Sequence, residues 1–108
     1  MPITNPKPES ILSVDAVQDV AEFFKVLAHP TRLRLLHAMA YEERSVYDLA
    51  SAVGLTQSAV SHQLRALRLH HVVITRRAGS TIYYRLADSH VLTLLTTTLF
   101  HLKERVPE

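Results

Sequence analysis

The stretch Thr56-Gln-Ser-Ala-Val-Ser-His-Gln-Leu-Arg-Ala-Leu-Arg-Leu69 decides the fold. At helical spacing Val60, Leu64 and Leu67 recur at i, i+4 and i+7 on one side, while Ser58, Ser61, His62, Arg65 and Arg68 fall on the other. Along the outer face, short hydrogen-bonding groups beginning with Gln57 give way to guanidiniums. Ser, Gln and His reach base edges in a DNA major groove, and arginines farther along reach guanine edges or phosphates. An ordinary amphipathic surface helix also has a polar face, so charge must separate the two readings. Residues 56–87 hold five arginines (Arg65, Arg68, Arg76, Arg77, Arg85), three histidines and no Asp or Glu; all ten acidic residues lie elsewhere. A face chosen only for solubility mixes both signs. The one-sided window points to a polyanion, and the helix reads as a DNA-recognition helix.

Immediately upstream, Gly54 falls where a tight turn must join this helix, capped by Thr56, to a preceding one. That helix opens at Ser45-Val-Tyr-Asp48, which has capping-box spacing, and runs through Leu49, Ala50 and Val53. Together they make a helix-turn-helix. Downstream, residues 72–77 and 81–86 are rich in β-branched and aromatic side chains, with Ile82, Tyr84 and Leu86 alternating against Thr81, Tyr83 and Arg85. Ala78-Gly79-Ser80 between them marks a hairpin tip. Arg76 and Arg77 beside it read as wing residues reaching backbone phosphate or the minor groove; a plain solvated hairpin is the alternative for these two.

Farther out, residues 1–12 carry three prolines and read as a flexible N-terminal arm, which leaves 13–108 as one winged helix-turn-helix DNA-binding and dimerisation domain. Ser13 caps a first helix whose stripe is Val17, Val20, Ala21, Phe24, Leu27 and Ala28. Pro30 suits the first position of a second helix, with Leu33, Leu36, Met39 and Ala40 as its buried side. The last segment, from Asp88 to about Arg105, is helical again. Val91, Leu92, Leu94, Leu95, Leu99 and Leu102 cover more than one of its faces, so a spare apolar side is expected to meet another subunit. The fold class is mainly α with a β-hairpin, a homodimeric winged helix-turn-helix.

Composition narrows the function classes. At 108 residues and net charge +2 the basic character is local, which fits docking one edge on DNA better than coating it with a tail. With no cysteine, disulfides and thiolate metal sites are excluded. No apolar run approaches the roughly 18 residues that span a bilayer, so no membrane partner and a cytoplasmic location are expected.

The last helix carries a second constellation: Asp88, His90, His101 and Glu104. His90 and His101, eleven residues apart, return to nearly one face but stand about 16 Å apart along the axis. One helix cannot close a chelate across that distance. Two such helices packed antiparallel about a two-fold axis bring Asp88 and His90 of one towards His101 and Glu104 of the other. Two imidazoles and two carboxylates then form a nitrogen and oxygen set suited to tetrahedral Zn²⁺, with Co²⁺ also acceptable, and two sites per dimer. Each residue also has an ordinary reading: Asp88 as a helix cap, Glu104 as a solvated acid, the histidines as non-ligands.

Taken together these residues resemble the ArsR/SmtB family of bacterial winged-helix metal-responsive repressors. The similarity runs from about Val20 to Glu104. It is carried by Leu27-Ala-His-Pro-Thr-Arg-Leu-Arg-Leu-Leu36, Asp48-Leu-Ala50, Gln57-Ser-Ala-Val-Ser-His-Gln-Leu-Arg-Ala-Leu67 and Gly79 through Tyr84. Asp88-x-His90 with His101-x-x-Glu104 also resembles the zinc site that one branch builds across its C-terminal helices. The resemblance implies a bacterial, nucleoid-associated homodimer that represses metal efflux or sequestration genes on double-stranded operator DNA and is released by a metal effector. It further implies a link from His101 to the main chain near His71, just beyond the recognition helix. Where other members carry a cysteine pair at the start of the third helix this chain has Val46, so sensing falls to the last helix.

Two rivals remain. An enzyme is disfavoured by the missing thiol nucleophile and glycine-rich phosphate loop, and four protein ligands would close the coordination position that a zinc hydrolase needs open. A winged-helix dimer that answers a non-metal signal, or binds DNA constitutively, stays open.

Overall fold

A computed structural model describes residues 13–104; the expected arm, 1–12, and the last four residues of the expected domain lie outside the described residues. In chain order come α1 (Val14–Leu27), α2 (Pro30–Ala38), β1 (Arg44–Ser45), α3 (Val46–Val53), α4 (Gln57–Leu69), β2 (Val73–Ala78), β3 (Thr81–Leu86) and α5 (Ser89–Glu104).

The caps fall where the sequence places them. The Ser13 hydroxyl accepts from the Ala16 amide at 3.2 Å, Ser45 from Asp48 at 3.1 Å and Thr56 from Ala59 at 3.1 Å, each satisfying an orphan donor of a first turn. Gly54 ends α3 at φ +72°, the left-handed conformation that suits glycine, and its amide bonds the Ala50 carbonyl. α4 ends in a Schellman motif without glycine: the Val72 amide donates to Leu67 and the His71 amide to Arg68, with His71 itself at φ +59°.

The hairpin is tighter than expected. Ala78 pairs with Thr81, so only Gly79 and Ser80 form the turn, with Gly79 at φ +63°. Val72, expected in the strand, instead sits between the end of α4 and β2. The short β1 was not expected; it pairs antiparallel with β3, Arg44 opposite Tyr84, giving a sheet ordered β1-β3-β2. Two residues are too few to carry an alternating pattern.

One core joins α2, α3, α4 and the sheet. Leu35, Leu36, Leu49, Val60, Leu64, Leu67 and Val72 are completely buried there. One expectation for a buried side needs correcting in part. On α2 Leu36 and, just past the helix, Met39 are buried as expected and Leu35 joins them, while Leu33 remains 38% exposed and Ala40 lies beyond the helix, because α3 and α4 pack on the Leu35–Leu36 side. On α1 only Leu27 of the predicted stripe is buried, joined by Val26; Val17, Val20 and Phe24 are about half exposed, since α1 meets the core only at its last turn. The terminal helix has the same character: Val91 is buried, whereas Leu99, Phe100 and Leu102 are exposed. The fold thus leaves apolar faces uncovered on its first and last helices. No described helix is long and apolar enough to cross a membrane.

Candidate functional site

The recognition helix presents the face its sequence encodes. Val60, Leu64 and Leu67 anchor α4 to the core, and Gln57, Ser58, Ser61, His62, Arg65 and Arg68 are all exposed on the opposite side. No acidic residue stands in its first turn. Length and anchoring are those of a rigid rod, 13 residues or about 20 Å, enough to lie along a major groove. Arg32, at the start of α2, steadies that rod from behind: its Nε donates to Gln63 Oε1 at 2.8 Å and its Nη1 to the Val26 carbonyl at 3.0 Å. Sequence patterns gave no signal for this bridge, because its partners are 31 and 6 residues away.

The two wing arginines part company. Arg76 and Arg77 are neighbours on β2 and so point to opposite faces of the sheet. Arg76 is engaged by Glu43, its Nε lying 3.0 and 3.1 Å from the two carboxylate oxygens and its Nη2 completing a fork on Oε1. The same guanidinium stacks 4.9 Å over the Tyr83 ring. Hydrogen bonds and charge from Arg76, reinforced by Arg85, hold the Glu43 carboxyl below its ordinary pKa against a smaller opposing effect of burial, and Arg76 is raised in turn. Arg77 has no ion-pair partner among the described residues. The acid at position 43 lies outside the acid-free window in sequence, yet β1 folds it alongside that window.

The four candidate metal ligands form two half-sets at opposite ends of α5. Asp88 caps the helix, its Oδ1 accepting from the His90 amide at 2.9 Å and the Val91 amide at 3.4 Å, and the His90 ring nitrogen Nδ1 lies 3.3 Å from the same oxygen. Burial pushes the Asp88 carboxyl up, and these bonds together with the His90 ring outweigh it, leaving the pKa lowered. His101 and Glu104 line one shallow cavity of about 350 Å³ with Thr96, Thr97 and Phe100. Within one chain no three of His, Asp and Glu converge among the described residues. The donor chemistry fits a divalent cation of zinc's type, and only a second copy can bring the half-sets together. All four side chains are exposed, and the uncovered Leu99, Phe100 and Leu102 stand beside the second pair.

Comparison with known proteins accords with the fold. Residues 29–73 match the family described as bacterial regulatory protein, arsR family. The chain is 50% identical over 98 residues to a transcriptional repressor SmtB homolog of Synechocystis sp., covering 91% of this chain and 74% of that protein. Its fold matches the homodimeric winged helix-turn-helix DNA-binding domain Mb0332 of Mycobacterium bovis with TM-score 0.77 and 30% identity, over 97% of this chain and 94% of that one. It matches the antimony-specific transcriptional repressor AntR with TM-score 0.77 and 38% identity, over 94% and 96% of the two chains. The chain therefore belongs to the ArsR family of bacterial winged helix-turn-helix transcriptional regulators, a DNA-binding family and not an enzyme family.

Proposed function

We propose that this protein is a homodimeric, metal-responsive repressor. Two copies of α4 enter successive major grooves of operator DNA, and a divalent metal held between the α5 helices weakens that grip. The observation that carries the reading is the layout of α5: Asp88 and His90 at one end, His101 and Glu104 at the other, all exposed, with the uncovered Leu99, Phe100 and Leu102 around the second pair. Zn²⁺ would supply a tetrahedral cross-link between the two helices, with Co²⁺ an acceptable substitute.

The protein's own residues do the rest. Ser58, Ser61 and His62, with Gln57, offer groups to base edges; Arg65 and Arg68 add charge towards bases or phosphate; Arg77 does so from the wing. Two recognition helices must match one turn of DNA, so a small change in the angle between subunits costs much affinity. The link from α5 to the reading head runs from His101 to the main chain at His71. His71 adjoins the recognition helix and is held in a fixed left-handed conformation, so a pull there reaches α4 directly. By linkage, DNA must weaken metal binding by the same factor that metal weakens DNA binding.

The test measures zinc per dimer and operator affinity with and without zinc, for wild type and His90→Ala. Two zinc ions per wild-type dimer, fewer in the variant, and zinc-dependent release in the wild type alone are the expected results. A zinc-insensitive operator complex would favour the second reading, a dimer that answers a non-metal signal or none; the use of Asp88 Oδ1 as a helix cap supports that reading.

A further inference from the structure

We propose that Glu43 holds Arg76 off DNA: its carboxylate occupies the guanidinium fork where a backbone phosphate would otherwise sit, and leaves Arg77 as the phosphate contact of the wing. The inference rests on the DNA-binding reading and refines its wing.

A guanidinium grips a carboxylate and a phosphate with the same pair of parallel donors. The two anions therefore compete for one site. Glu43 takes it with both oxygens on Nε and a further bond to Nη2, while Tyr83, directly opposite Arg76 in the β2–β3 register, stacks on the guanidinium. A phosphate would have to displace an anion already tethered by the fold, and that anion would then stand uncompensated beside the DNA. The tether is structural. β1 pairs with β3 so that Ser45 lies opposite Tyr83, and Glu43, two residues earlier, returns to the same sheet face as Tyr83 and Arg76.

Arg77 differs in each respect. It is one residue nearer the turn, opposite Ile82, on the other face of the sheet. The consequence is a wing that presents one phosphate-seeking cation per subunit instead of two, which restrains sequence-independent binding while the recognition helix retains its full set. Glu43 also ties the segment between α2 and β1 to the wing, so its loss frees a cation and an attachment at once.

The experiment is the salt dependence of affinity for a labelled random-sequence duplex, using full-length wild type, Glu43→Ala, Arg76→Ala and the double variant, with circular dichroism melts to verify folding. Each added phosphate contact steepens the log–log slope by about 0.9. Glu43→Ala should steepen it by about that amount for each wing engaged; the double variant, which has neither a freed cation nor an unpaired carboxylate, should keep the wild-type slope; and Arg76→Ala, which leaves Glu43 unpaired, should bind more weakly than the double variant. A shallower slope for the double variant would show that Arg76 already meets phosphate and overturn the proposal. An unchanged slope for Glu43→Ala would overturn it equally. Absence of salt-dependent binding by the wild type would sink the DNA-binding reading itself, a result separate from either.

Discussion

Arg32 and Gln63 are joined at 2.8 Å, which ties the first turn of α2 to the middle of the recognition helix, while the same guanidinium reaches the Val26 carbonyl at the end of α1. α1 carries an uncovered apolar face and α4 carries the residues proposed to face DNA, so one side chain mechanically connects the two. Arg32→Ala and Gln63→Ala should each destabilise the protein, with about 1.5–3 kcal/mol at stake for hydrogen bonds to a charged group. Urea melts of both single variants and the double should give a coupling energy of about 0.5 kcal/mol or more. Additive single effects would mean that the bond is incidental.

On the proposed function, the exposed face of α4 separates into groups that read and groups that hold. Arg65→Ala should weaken binding to any duplex and lower the salt slope by about 0.9 per phosphate lost if Arg65 contacts the backbone. Ser61→Ala should leave the slope unchanged and relax discrimination between operator and random DNA, since a lost base contact costs about 1–3 kcal/mol for the correct sequence only. Fluorescence anisotropy across a salt series distinguishes the two. Equal loss on both duplexes for Ser61→Ala would remove it from the base-reading set.

The recognition helix was legible because one segment carries both of its signals: the buried Val60, Leu64 and Leu67, and a polar face free of acids. Caps and glycine turns were legible for the same reason, since each is written within four residues. What escaped depends on chain segments meeting from afar. Glu43 on Arg76 spans 33 residues and Arg32 on Gln63 spans 31, and neither pair follows a periodicity. The α1 stripe shows a different limit. Its spacing gave the apolar face correctly, but sequence cannot say whether that face meets the chain's own core or lies open.

The open faces should make the oligomeric state sensitive to charge. Phe24 and Phe100 are 49% and 64% exposed, and fully burying an aromatic of this size contributes about 1.5–3 kcal/mol. Phe100→Glu should therefore yield a folded monomer in sedimentation experiments, with operator affinity lost alongside. A Phe100→Glu protein that still sediments as a dimer would place the subunit contact elsewhere.

The pH dependence of the wing follows from Glu43. Its carboxyl is held below its ordinary value, chiefly by the hydrogen bonds from Arg76, so the folded state favours the ionised form. The resulting stability is present above the unfolded glutamate pKa of about 4.3 and is lost as pH falls through the lower folded value. Thermal melts should show wild type above Glu43→Gln at neutral pH and the two converging below about pH 4. A gap that persists undiminished in acid would assign the difference to packing rather than charge.

Two left-handed residues bracket the recognition helix and should respond in opposite directions. Gly54 at φ +72° has open space around its missing Cβ, so Gly54→Ala costs backbone strain alone, about 1–2 kcal/mol, and should lower the melting temperature. His71 at φ +59° already bears such strain, so His71→Gly should raise stability by up to about 1 kcal/mol, the gain reduced by the freedom glycine adds to the unfolded chain. The second variant also tests the proposed route from α5 to the recognition helix. That route uses the main chain at residue 71, which glycine retains, so zinc-driven release of DNA should survive His71→Gly. If the response disappears while zinc still binds, the imidazole of His71, and not its backbone, carries the signal.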